Sequence, residues 1–197
     1  MSHHSHEDSS PKKRQLTIVL ILTSVYLVAE VVGAFWTNSL ALLADAGHML
    51  TDVGGLAIAL FAIYLSEKPA DPKRTYGYYR AEILGSVINA SILIALSVYI
   101  VFEAYQRFQA PPTVSSTGML VISSIGLIVN LVGLLILRSS SNESLNMKGA
   151  YYEVLSDFIT SVGVIVGAVI IKFTGWNWID PVISAGIGLF ILPRTWK

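Results

Sequence analysis

Cysteine is absent from this 197-residue chain. That excludes disulfides, thiolate metal ligands and cysteine nucleophiles together. Any metal site must be built from nitrogen and oxygen. Charge is also scarce: Asp, Glu, Lys and Arg make up 13% of the residues, against roughly a quarter in a soluble domain. The 13 basic and 13 acidic residues cancel, so nothing argues for nucleic-acid binding. No HExxH motif occurs and no serine is placed to pair with His48, so an enzyme is not expected. No prosthetic group is expected either.

What the chain has in place of charge is apolar sequence, 53% of it. Runs near the ~20 residues needed to cross a bilayer cover Leu16 to Trp36, Ser39 to Leu65, Ala81 to Ala104, Gly118 to Leu137, Lys148 to Ile171 and the shorter Ile179 to Leu192. The expected fold is an all-α membrane protein, a bundle of six transmembrane helices; five spans and a re-entrant segment are the alternative. Residues 1–15 read as a disordered cytoplasmic tail and 16–197 as the transmembrane domain. The first run is too long and too far from the start for a cleaved signal peptide.

Lys and Arg set the orientation. With a cytoplasmic N-terminus, the inner segments carry Lys12, Lys13, Arg14, Lys68, Lys73, Arg74, Arg80, Arg138, Lys148, Arg194 and Lys197, and the outer loops only Arg107 and Lys172. Both termini are therefore expected in the cytoplasm of a multi-pass cell-membrane protein.

Ionisable groups at membrane depth are costly and usually mark a substrate or proton pathway. Asp45, His48 and Asp52 fall on one stripe of the second run, and Glu153 and Asp157 stand one turn apart in the fifth. Three carboxylates and an imidazole facing one another would make a four-ligand site for a divalent transition metal. Gly163 and Gly167, spaced for close helix packing, would let the two helices approach. Asp45 reads as a guide on the exit path or a local partner. Glu30 lines the pathway or bonds between helices, and Asn130 more readily bonds between helices. Glu103 lies near the outer interface. His3, His4 and His6 in the tail form a weak metal-collecting arm or a bland flexible segment.

The stretches ALLADAGHMLTDVGGLAIAL, YGYYRAEILGSVINA and NMKGAYYEVLSDFITSVGV resemble the cation diffusion facilitator family, its bacterial zinc, cobalt and cadmium efflux branch in particular. The resemblance runs from the first span to Lys197. It implies a six-helix metal/proton antiporter, a homodimer in membrane lipid, with ligands His48, Asp52, Glu153 and Asp157. Many relatives have His where this chain has Glu153, which leaves Zn2+, Co2+, Cd2+, Ni2+, manganese and iron open. Glu153 could also stand outside the coordination sphere, with Asp45 or water completing it. The cytoplasmic αβ domain usual after the last span is absent from this sequence. The expected function is divalent transition-metal efflux in exchange for protons. A nontransporting metal-sensing subunit or a cation channel is the alternative.

Overall fold

A computed structural model describes residues 9–66, 77–142 and 145–195. Six helices follow one another there: α1 (Ser9–Thr37), α2 (Leu40–Ser66), α3 (Gly77–Gln109), α4 (Ser116–Arg138), α5 (Leu145–Thr174) and α6 (Ile179–Thr195). A helix stands at the place of every expected span, and most run past the apolar stretch that announced them. α3 continues beyond Ala104 to Gln109, and its last turns carry an i,i+4 pair in which Arg107 Nε donates to Glu103 Oε1 at 2.8 Å. α1 starts at Ser9, so residues 9–15, expected in the tail, are helical instead. His3, His4, His6, Lys68, Lys73, Arg74 and Lys197 lie outside the described residues.

Among the described residues, Lys13–Thr37, Ala90–Gln109, Ser116–Arg138 and Met147–Thr174 are long and apolar enough to cross a membrane, and Ile179–Phe190 is a shorter apolar stretch. The surface inverts the usual soluble arrangement. Val28, Phe35, Val98, Phe102 and Ile159 point outward, while Glu30, Asp45, His48, Asp52, Asn130 and Asp157 are buried.

α2 occupies the centre, packed against α1, α3, α5 and α6, and α4 bridges α1 and α5. Two apolar clusters fill the bundle. One, near the α1–α2 turn, gathers Ala34, Leu42, Met119, Val164 and Ile171. The other, towards the chain termini, gathers Leu16, Leu56, Leu137, Met147 and Val154. On α1, α2, α4 and α5 alike, the buried acids, with His48 and Asn130, fall between the two. The site is a polar layer with an apolar plug on each side.

The α1–α2 link is tight enough to need a left-handed residue, Asn38 at φ 56°, a conformation that asparagine tolerates better than most. Arg107 Nη1 donates to the Asn38 carbonyl at 2.8 Å and the Ser115 amide to the Thr37 carbonyl at 2.9 Å. The α5 glycines divide their roles. A Cβ on Gly167 would collide with Ile183 of α6, whereas one on Gly163 would meet nothing. Close packing by α5 glycine is thus directed at α6, and Gly163 contributes none towards α2.

Candidate metal centre

His48 and Asp52 stand one turn apart on α2, and the i,i+4 spacing places the imidazole against the carboxylate: His48 Nε2 to Asp52 Oδ2 is 3.5 Å. From α5, Asp157 Oδ1 reaches the same nitrogen at 3.6 Å. All three residues are at most 4% exposed, and their ligand atoms lie within 4.8 Å of one another. Tetrahedral ligands about 2.0–2.2 Å from one ion stand roughly 3.3–3.6 Å apart. The two measured separations match those edges, so an ion can be seated with small side-chain movements. Phe190 of α6 turns its ring edge-on to His48, centroids 6.5 Å apart.

Of the four expected ligands, the structure brings together three. Glu153 lies one turn back along α5, about 6 Å by helical rise, is half-buried, and is not part of the cluster. Asn130 donates from Nδ2 to Ser161 Oγ across the α4–α5 interface at 3.2 Å, one turn from Asp157, as an inter-helix bond should. Glu103 pairs with Arg107 at the far end of the bundle.

Glu30 and Asp45 form a second buried group. Their carboxyl groups lie within hydrogen-bond reach of each other across the α1–α2 interface. The Tyr26 hydroxyl donates to Glu30 Oε1 at 3.1 Å and lies 3.3 Å from the Ile122 carbonyl of α4. Thr160, whose hydroxyl donates to the Asp157 carbonyl at 3.0 Å, also sits beside Asp45. The sequence marks Thr160 only as a small neighbour of Asp157, and Tyr26 is not among its candidate residues. The signal was there for Tyr26, which lies at i−4 from Glu30 and so on its face.

A membrane bundle with a nitrogen- and oxygen-lined cluster in its middle layer defines a class, the proteins that handle a hard or borderline cation within the bilayer. Residues 16–197 match the cation efflux transmembrane domain, and the chain belongs to that family, the cation diffusion facilitators. It is 54% identical over 193 residues to the metal cation efflux system protein CzcD of Cupriavidus metallidurans, covering 98% of this chain and 61% of the relative. It is 48% identical over 191 residues to the cadmium, cobalt and zinc/H(+)-K(+) antiporter of Bacillus subtilis, 96% of this chain and 61% of that one. With the zinc transporter ZitB of Escherichia coli it shares 39% over 203 residues, all of this chain and 65% of the relative. The chain thus spans about three fifths of the length of these relatives.

Proposed function

We propose that this chain carries divalent transition-metal ions, zinc foremost with cobalt and cadmium, out of the cytoplasm in exchange for protons. The observation that carries the reading is the triangle of His48, Asp52 and Asp157, buried between two apolar plugs and spaced as ligands of one ion. The names of the relatives support the choice of cargo. Both termini lie in the cytoplasm, as the distribution of Lys and Arg favours. The chain works as a homodimer in the membrane.

His48, Asp52 and Asp157 hold the ion. Glu153 supplies the fourth ligand by swinging along α5, and its carboxylate makes the site more anionic than one with two imidazoles. Ligands must be deprotonated to bind metal, so protons and metal compete for the same atoms. Protons arriving from outside release the ion, and metal arriving from the cytoplasm releases protons. The apolar clusters on either side keep water from crossing while the ion is in transit.

The test is zinc flux into proteoliposomes, with and without an imposed pH gradient. Flux that responds to the gradient in the wild type and vanishes in Asp52→Ala and Asp157→Ala is the expected result. Flux indifferent to the gradient indicates a channel, and no flux at all indicates a sensor; either outcome overturns the reading.

A further inference from the structure

Glu30 and Asp45 are 0% and 2% exposed, they face each other, and Glu30 Oε2 and Asp45 Oδ1 meet no hydrogen-bond donor among the described residues. Two buried acceptor oxygens without donors are expensive. Two carboxylates side by side at membrane depth, with no cation beside them, cannot both be ionised. A single shared proton resolves both problems, because a carboxyl O–H on one residue donates to the orphan oxygen of the other. Tyr26 leaves this arrangement undisturbed. Its hydroxyl occupies the opposite oxygen of Glu30, and Gly126 makes room for the phenol where a Cβ would collide with it.

We propose that Glu30 and Asp45 form a proton-carrying pair, distinct from the metal-binding atoms, that exchanges its proton as the metal comes and goes. The proposal rests on the metal-exchange reading above. Asp45 lies one turn from His48 on α2. The titratable groups facing the pair are Tyr26 on α1, His48 and Asp52 on α2, and Asp157 on α5; from α4 the nearest polar group is the Ile122 carbonyl. None of these is a fixed positive charge. A divalent ion seated at His48 therefore becomes the dominant positive charge near the pair, and repels its proton. The proton leaves as hydrated H+ on the side to which the site is open, and both carboxylates remain as anions beside the ion. When the ion departs, one proton from the opposite side restores the shared bond. Metal and proton then occupy neighbouring sites in alternation, which adds one coupled proton to those that compete for the ligand atoms themselves.

The experiment is isothermal titration of the purified chain with zinc at neutral pH in buffers of different ionisation enthalpy, which counts protons released per ion. In Glu30→Gln and Asp45→Asn the count is expected to fall by about one, with zinc still bound but roughly tenfold more weakly at neutral pH, as reciprocal linkage requires. An unchanged count in both variants overturns the proposal. So does a loss of affinity relative to the wild type that persists at acid pH, where the wild-type pair keeps its proton, because that would make the pair metal ligands. Infrared difference spectra of the metal-free chain give a second reading that does not depend on folding of a variant or on metal binding. A protonated-carboxyl component at neutral pH is expected in the wild type and in Asp157→Asn, and that component is lost in Glu30→Gln and Asp45→Asn. Its absence from the wild type overturns the proposal, and so does its persistence in both variants of the pair. Failure of the wild type to bind or move zinc, with the infrared band present, refutes the transport reading alone.

Discussion

The Asp180 carboxylate, in the first turn of α6, accepts the Ser39 hydroxyl at 2.6 Å and the Leu40 and Ala41 amides at 2.8 and 3.2 Å. It thereby caps α2 from a different helix. The first amides of a helix lack partners within it, and here an anion placed against the positive end of the α2 dipole supplies them. Ser39 in turn accepts the Leu42 amide at 3.2 Å. The helix that carries His48 and Asp52 is thus anchored at its far end to α6, and through Asn38 to Arg107 of α3.

Asp180→Ala strips this cap and leaves buried donors unmatched, a loss of about 2–3 kcal/mol for hydrogen bonds to a charged group. Asp180→Asn retains an acceptor oxygen and loses roughly half as much. The check is thermal unfolding in one detergent at one scan rate, since membrane proteins often unfold irreversibly. Equal melting temperatures for Asp180→Ala and the wild type would show that Asp180 carries no cap.

How much of this was readable beforehand differs from residue to residue. The six helices were legible because apolar runs separated by proline and charge leave little choice of secondary structure in a bilayer. That His48 and Asp52 share one face of α2 was legible from their spacing. The mismatch at Glu153 was also latent in the sequence. Counting rise from the far helix ends puts Asp52 and Asp157 both near ~20 Å and Glu153 nearer ~27 Å, so only one acid of α5 lies level with the α2 pair. The i,i+4 rule fixes the face of a helix but not the depth. Asp180 was not legible, because its partners belong to another helix brought to it only by tertiary packing. The Glu30–Asp45 contact escaped for the same reason: each acid was visible, but nothing in the chain places α1 against α2 in that register.

Metal should stabilise the fold through the triangle. At zinc concentrations a hundredfold above the dissociation constant, binding adds about 2.7 kcal/mol. In Asp157→Asn the same addition is expected to produce no rise in melting temperature, because one of three ligands has lost its charge. The metal-free variant should melt at or above the wild type, since adjacent buried carboxylates repel. A full zinc-dependent shift in Asp157→Asn would remove this residue from the site.

Glu153→His tests whether the half-buried acid enters the coordination sphere. Imidazole suits zinc better than a carboxylate does, and carboxylates favour manganese and other hard ions. If Glu153 swings onto the ion, the histidine variant gains affinity for zinc relative to manganese. Titration with zinc, cobalt, cadmium and manganese reads the order directly. Identical orders in the two proteins would leave water, rather than Glu153, as the fourth ligand.

Two glycines test the packing argument as a pair. A methyl at Gly126 would overlap the Tyr26 phenol, whose hydroxyl and ring carbons stand where the Cβ must go. Gly126→Ala is therefore expected to push Tyr26 away from Glu30, part α1 from α4, and cost about 1–3 kcal/mol as overpacking does. Gly163 sits in the same kind of helix with nothing within 4 Å of its Cβ position. There the change to alanine gains about 0.5–1 kcal/mol from reduced backbone freedom. The melting temperatures should move in opposite directions from the wild type. Because Tyr26 also holds Glu30, Gly126→Ala should perturb proton release per zinc as well, and Gly163→Ala should leave it alone. Loss of stability in both variants would mean that α5 packs against something through Gly163, contrary to the open space around its Cβ position.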